Sequence, residues 1–428
     1  MPKVQPSMLK INTLMLLFYS TLGAVMPYIP LYYRKLGVTD AQIGILGAIT
    51  PAVTFIVSPL WGALADSTGG HKSIMMLTFV GSVLSRCLMG IVDKNVILLG
   101  IIVAISAVLF APVKPLLDSA VLSSLVDKTT YGKSRLFGQI GFGVGSFMVG
   151  PFLSGHIKLM YAVQALLAFP TLLLMSTIPS TPKIVNNVTT TGPAADTTST
   201  TTATNTAGAN TATSTSNSNH NTATTTTATT TTAVAKLEEA KRMAKLNSVL
   251  KQPKVLLFFF AIFLIGLSSG IIENFAYVKI SEVSGTGTRA LTVSRLLSSL
   301  AGGPMFWLSG DIIKYIGTRA VLTLTILTYV VRFLNYASIT RGWHAIPAEI
   351  LRGVTFALFW SAATTHVYDI SPTGLSATML GLLNGIYGGL GQSIGSLVGG
   401  ELVRSAGISA AFYKCAAVDG VLLLAFLG

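Results

Sequence analysis

Residues 62–73 read GALADSTGGHKS, and the reading of this stretch decides the fold. Asp66, His71 and Lys72 stand there among Gly62, Gly69 and Gly70, in a chain with only 10% charged residues. On both sides the sequence turns apolar for roughly 20 residues, the length a helix needs to cross about 30 Å of hydrocarbon. A short polar, glycine-bearing knuckle between two such runs reads as a tight turn at a membrane face.

Outward from the knuckle the same pattern recurs. Hydrophobic residues make up 51% of the 428, with a mean hydropathy of +0.67, which excludes an ordinary soluble protein. Backbone groups in lipid must be satisfied within the segment, so apolar runs of this length are expected to be helices. The alternating segments of about ten residues that a β-barrel needs are not visible. Twelve spans are expected at 9–33, 41–65, 73–92, 95–126, 136–156, 158–178, 255–279, 290–310, 319–340, 344–369, 374–402 and 405–428. The first run is too long for a signal-peptide core and reads as a retained span. The last reaches Gly428 with no polar tail, so a truncated chain is expected. Cys87 and Cys415 both fall in apolar runs and suggest no disulfide framework or thiolate metal site.

The formal charge of +14 is scattered over connecting segments, the pattern of membrane orientation rather than of nucleic-acid binding. With the N-terminus in the cytoplasm, fifteen of the 29 Lys and Arg fall on inner segments, eight on outer loops and six within spans. The asymmetry puts both termini in the cytoplasm. The expected residence is the plasma membrane, with an organelle membrane as the alternative.

Between spans six and seven lies a Thr-rich tract, about Thr189 to Thr232, too poor in large apolar residues to bury a core. Its expected inner location leaves the sequon Asn187-Val188-Thr189 unusable; an extracellular mucin-like stalk is the competing reading. The following KLEEAKRMAKLNSVLK, from Lys236, spaces Leu237, Ala240, Met243 and Leu250 at helical intervals opposite a basic face. It suits a helix lying on the inner leaflet, or equally a solvated linker helix. The organisation expected is therefore a six-helix bundle over 1–180, a cytoplasmic linker over 181–253 and a second six-helix bundle over 254–428.

Internal repetition supports two halves. Gly62, Asp66, Gly69 and Lys72 after span two are echoed after span eight by WLSGDIIKYIGTR, with Asp311, Gly317 and Arg319. Glycine-rich span five, GQIGFGVGSFMVGPFLSG, is echoed six spans later by GLLNGIYGGLGQSIGSLVGG. Paired parallel halves are one arrangement used by secondary transporters.

The knuckle resembles the loop signature of the major facilitator superfamily, roughly G-x-L-a-D-[RK]-x-G-[RK]-[RK]. Ser67 replaces the usual basic residue after the aspartate, and His71 takes one basic position, which weakens any electrostatic lock. YYRKLGVTDAQIGILGAITPAVTFIVSPLWGALAD, PLLDSAVLSSL, YGKSRLFGQIGFGVGS and EILRGVTFALFWSAATTHVYDISP are similar to the domain-containing protein 6 type of that superfamily. That branch is related to lactose-permease-like and nucleoside–proton symporters. The resemblance covers the whole chain outside the Thr tract and implies the all-α major facilitator fold: twelve transmembrane helices in two pseudo-two-fold-related bundles.

In that frame the knuckle is a gate. Glycines let it turn, and Asp66 would face a helix N-terminus of the other half, favouring the outward-facing state by roughly 1–2 kcal/mol. Gly62, Asp66, Gly69, Lys72, Arg135, Asp311 and Arg319 are the gating candidates. The competing reading is a simple topogenic turn in which Lys72 only orients its span.

Ionisable groups at membrane depth mark functional sites by default. Lys114 and Asp118 lie one turn apart on span four; they either neutralise each other, or Asp118 pairs with Arg135 in one conformation and releases it in another. Glu273, Arg295, Glu349 and Arg352 fall at one level of the second half. The resemblance implies that spans one, four, seven and ten line a central cavity, which makes Glu273, Glu349 and Arg352 the leading substrate or proton sites. A carboxylate that loses its arginine takes up a proton more readily, so Glu273 is the proton candidate and Arg352 the substrate anchor. A fixed structural Glu273–Arg352 pair is the alternative. Tyr19 and Trp360 are candidates for stacking on a substrate ring. Arg86, Arg332, Lys414 and Asp419 fall on spans peripheral in the superfamily and are expected to be structural or to snorkel.

No nucleophile constellation, phosphate loop or metal spacing is readable, so neither an enzyme nor a cofactor is expected. The expectation is a monomeric secondary transporter moving a small polar organic solute (a sugar, nucleoside or organic acid) with a proton by alternating access. The alternative is a membrane receptor or scaffold that kept the fold without turnover.

Overall fold

The computed structural model describes residues 7–92, 95–124, 131–178, 244, 247–285, 289–372 and 376–427, and among them there is no strand. The Thr tract and most of the expected 236–251 helix lie outside the described residues, as does the Asp66 side chain.

The first apolar run folds as α1 (Met8–Val25), a 3-10 turn at Met26–Tyr28 and α2 (Ile29–Lys35). Pro27 and Pro30 account for the break, since neither can donate to the helical ladder. Helix α3 (Asp40–Thr68) starts on a capping box. The Thr39 hydroxyl accepts from the Gln42 N–H, and the Gln42 side chain accepts from the Thr39 N–H. It ends at the knuckle, where Gly69 takes φ 65° and its N–H donates to the Ala65 carbonyl. A left-handed residue ends the helix there, so glycine is required for geometry before any gating role. Then follow α4 (His71–Met89), α5 (Val96–Phe110) and α6 (Val113–Ser124), which together form span four, α7 (Tyr131–Val149) and α8 (Leu159–Thr177).

The second half opens with α9 (Pro253–Ser284) and α10 (Arg289–Ser338), which Gly317 at φ 78° and ψ 162° divides into two legs. Next come α11 (Ile346–Ile350), a π turn over Gly353–Leu358 and α12 (Phe359–Ile370). The chain ends with α13 (Ser376–Asn384), a π turn over Gly385–Gly391, α14 (Gln392–Ala406) and α15 (Ile408–Leu427). Joined through their 3-10 and π turns, the described helices are consistent with twelve spans. Seven stretches among the described residues are by themselves long and apolar enough to cross a membrane. The glycine-rich spans are not among them, because glycine lowers their hydropathy.

Glycine explains how the halves are built. A Cβ on Gly141 or Gly145 of α7 would strike the α1 backbone at Leu16 or Ser20. In the second half a Cβ at Gly391, the last residue of its π turn, or on Gly395 of α14 would strike the α9 backbone at Gly266 or Leu267. Each glycine-rich span therefore lies directly on the first span of its own half, the close approach that small residues allow in lipid.

Between the halves, α3 packs on α14 and α7 on α10. Gly44 and Gly400 bring their α-carbons together, and the Ser396 hydroxyl donates to the Gly44 carbonyl at 2.8 Å. Outward, large apolar side chains such as Leu77, Ile97, Leu166 and Leu424 are exposed, as a lipid-facing belt requires. The described residues of 7–178 and 249–427 form one compact unit.

Candidate functional site

Where the halves face each other they enclose a cavity of about 410 Å³, within the range of small-molecule sites. Its walls come from both halves: α1 to α7 on one side, and α9, α10, the span-ten π turn and the α14 region on the other. Five sequence candidates line it: Tyr19, Lys114, Glu273, Arg295 and Arg352.

Arg352 and Glu273 form an ion pair on the cavity wall. The sequence supports its geometry locally. Arg352 immediately precedes the π turn, where the widened ladder re-aims side chains, and a Cβ on Gly353 would crowd the Ala301 carbonyl at 2.8 Å. Thr355 and Phe356 of the same turn also reach the cavity. Asn274, beside Glu273, donates to the Gly270 carbonyl at 2.9 Å and to the Ser396 hydroxyl at 3.0 Å.

Glu349 does not line the cavity. It is 1% exposed, and its carboxylate accepts from the Tyr277 hydroxyl at 2.9 Å and the Tyr336 hydroxyl at 2.5 Å. Tyr277 in turn accepts from Arg295 at 3.3 Å, and Tyr336 accepts from Arg332 at 3.3 Å. The result is a polar chain, Arg295–Tyr277–Glu349–Tyr336–Arg332, closed by a 2.8 Å bond from Arg332 to the Thr355 hydroxyl. One carboxylate thus sits between two arginines without direct contact, each tyrosine passing the interaction on. Both ends of this chain reach the cavity, and its middle is the wall behind it.

In the first half, Asp118 is engaged by Arg135 at 3.3 Å rather than by Lys114. Arg135 also donates to the Tyr19 hydroxyl at 2.5 Å. Lys114 is exposed to the cavity, and among the described residues no carboxylate pairs with it. Trp360 stands one layer back, its ring 5.6 Å from that of Tyr387, which does line the cavity.

Gly62 is exposed with open space where a Cβ would stand, and Lys72 donates to the Ser176 carbonyl within its own half at 2.5 Å. Asp311 and Arg319 are exposed on either side of Gly317.

Arg86 and Arg332, expected at the periphery, line the cavity while 5% and 2% exposed. The Arg86 guanidinium lies 4.6 Å over the Phe110 ring, and that of Arg295 lies 4.6 Å over Phe142. Such contacts stabilise a desolvated cation by about 2 kcal/mol but leave its charge in place. Two charged residues within apolar runs were the visible signal; the expected positions of their spans hid their direction. Gln139, Asn274, Tyr387 and Gln392 also line the cavity, and no pattern in the sequence distinguishes them from packing residues. Of the remaining buried charges, Asp419 on α15 accepts from the Ser268 hydroxyl of α9 at 2.9 Å and holds those helices together. Among the described residues no group of three His, Cys, Asp or Glu could hold a metal ion.

A family model described as "MFS_1 like family" matches residues 8–414. Maltose permease of Geobacillus stearothermophilus is 25% identical over 419 residues, covering 96% of this chain and 92% of the permease. The mouse major facilitator superfamily domain-containing protein 6-like is 24% identical over 187 residues, 44% of this chain and 32% of that protein. Among solved structures, the nucleoside transporter NupG superposes with a TM-score of 0.72 at 16% identity, covering 98% of both chains.

Proposed function

The chain belongs to the MFS_1 like family of multi-pass membrane transporters of small solutes, and on that premise we propose that it is a proton-coupled secondary active transporter. Its substrate is a small polar organic solute, a sugar, nucleoside or organic acid, moved by alternating access. The observation that carries this reading is the Arg352–Glu273 pair on the wall of a cavity shared by both halves. Protonating Glu273 discharges its half of the pair and frees the Arg352 guanidinium for substrate. Departure of the proton restores the pair and releases the substrate. Glu349, held by two tyrosine hydroxyls behind the wall, positions Arg295 and Arg332 instead of titrating in the cycle.

In this reading 1–180 and 254–428 are the bundles that rock, and 181–253 is the linker between them. The Gly69 end and both termini face the cytoplasm, the protein works as a monomer, and the plasma membrane is its site. Lys72, bonded to the Ser176 carbonyl, fixes the knuckle within its own half.

The test is solute uptake into proteoliposomes with and without an inward proton gradient. The gradient should drive accumulation in the native protein. Glu273→Gln should abolish that accumulation and leave solute exchange intact. Gradient-driven accumulation that survives Glu273→Gln rules out this proton assignment.

A further inference from the structure

The cavity is electrostatically lopsided. Among its described lining residues are five basic side chains, Arg86, Lys114, Arg295, Arg332 and Arg352, against one carboxylate, Glu273. That carboxylate is already taken up by Arg352. Among the described residues no acid pairs directly with any of the other four. Glu349 reaches Arg295 and Arg332 only through tyrosine hydroxyls, and its one charge is shared between them.

Three further observations show that the imbalance is not met by the protein itself. The Nε atoms of Arg295 and Arg332 are buried with no hydrogen-bond partner, although these residues are 3% and 2% exposed. A guanidinium presents five donors in a planar fork, and leaving part of it bare in low dielectric is costly. Arg86 has an aromatic face beneath it and no anion. Lys114 projects into the cavity with no direct acid partner among the described residues, since Asp118, one turn away, is bonded to Arg135. Confined charge of one sign with low-dielectric walls concentrates ions of the opposite sign. The cations also fall into two groups: Arg86 and Lys114 belong to the first half, Arg295, Arg332 and Arg352 to the second. A single anionic group could satisfy one of them. Satisfying both takes a molecule with acidic groups at two points.

Resting on the reading of this cavity as the transport site, we infer that the substrate is a small organic dianion whose two acidic groups bridge the basic side chains of the halves. Guanidinium forks in the second half suit a carboxylate or phosphate bidentately, and the Lys114 ammonium in the first suits a point contact. A neutral sugar or nucleoside would leave these charges uncompensated. Bridging also gives the substrate a mechanical role: neutralising both walls at once removes the repulsion that opposes closing them on each other.

The experiment is thermal unfolding of the purified full chain with matched probes that differ only in charge. The pairs are glucose 6-phosphate with glucose, succinate with succinamide, and uridine monophosphate with uridine. At least one charged member should raise the unfolding midpoint saturably, with an effect that weakens as salt is added, and its neutral partner should not. Lys114→Gln, at an exposed and unpaired position, should weaken that probe at least tenfold, as should Arg86→Gln. Arg404→Gln, exposed in the last turn of α14, absent from the cavity lining and paired with Glu401, should leave it unchanged. The inference is overturned if no charged probe shifts the midpoint, if a neutral member shifts it equally, or if Lys114→Gln binds the anion as tightly as the native protein. A neutral probe that binds and accumulates with the proton gradient leaves the proposed transport standing and removes only the dianion. A dianion that binds yet neither accumulates nor exchanges does the reverse.

Discussion

Arg34, in the last turn of α2, holds carboxylates of both halves in one guanidinium: Asp40 at 3.2 Å and Glu282, near the end of α9, at 2.5 Å. It is an ion pair that spans the two halves at the end of the bundle marked by residues 36–39. At the opposite end, the Asp66 side chain on which the expected latch depends lies outside the described residues, and Lys72 is bonded within its own half.

Neutralising this pair should loosen that end. The Arg34 and Glu282 side chains are 32% and 37% exposed, so solvent screens them and their coupling is about 1 kcal/mol or less. Glu282→Gln should shift the ratio of closed to open states by up to about fivefold. Spin labels on Ala41 and Ser281 should report a larger long-distance population, and Glu282→Lys, which sets like charges against each other, should enlarge it further. An unchanged distribution in Glu282→Gln means the pair latches nothing.

The Gly44–Gly400 contact makes a steric prediction at the same end. A Cβ on Gly44 would stand 2.6 Å from the Ser396 carbonyl oxygen and 2.9 Å from the Gly400 α-carbon. Both atoms are backbone and cannot rotate away. Gly44→Val should therefore keep α3 and α14 apart, abolishing solute exchange while the protein remains folded. Gly381→Ala, with nothing within 4 Å, is the control that should exchange normally. Exchange at native rate in Gly44→Val contradicts the close approach as a requirement of the cycle.

What the sequence disclosed follows from which physics is local. Span lengths, the Gly69 turn and the glycine faces of spans five and eleven are written in runs of a single chain segment. Charged residues inside apolar runs announce themselves too, because lipid tolerates so few of them. Direction is another matter. Glu349 and Arg352 are three residues apart on one span, yet a π turn and two tyrosines put one behind the wall and the other on it. Arg86 and Arg332 reach the cavity from spans that would ordinarily be peripheral, through side-chain length and packing on Phe110 and Thr355. Such placement depends on residues far away in sequence, and periodicity carries no trace of it.

The Tyr277–Glu349–Tyr336 bridge predicts a non-additive stability loss. Each hydroxyl satisfies one carboxylate oxygen, and hydrogen bonds to a charged group contribute about 1.5–3 kcal/mol. Tyr277→Phe and Tyr336→Phe should each destabilise by about that amount. The double variant should exceed their sum, because it leaves Glu349 buried with neither donor. Adding Glu349→Gln to the double variant should recover part of the loss. Reversible unfolding in mixed micelles measures all four, and strictly additive losses exclude the shared bridge.

Two cations are open to Asp118 as partners, Lys114 on its own helix and Arg135 on α7. One helical turn places Lys114 near it, but the carboxylate meets the Arg135 guanidinium at 3.3 Å, and that guanidinium also reaches the Tyr19 hydroxyl. A double-mutant cycle on Asp118→Asn and Arg135→Gln should give a coupling of about 1 kcal/mol, since both side chains are about three-quarters buried. The same cycle on Asp118→Asn and Lys114→Gln should be additive within about 0.5 kcal/mol. Tyr19→Phe should weaken the first coupling by removing the second acceptor that orients Arg135. If Lys114 instead carries the coupling, Asp118 neutralises its own helix, and Lys114 is no longer a free cation facing the cavity.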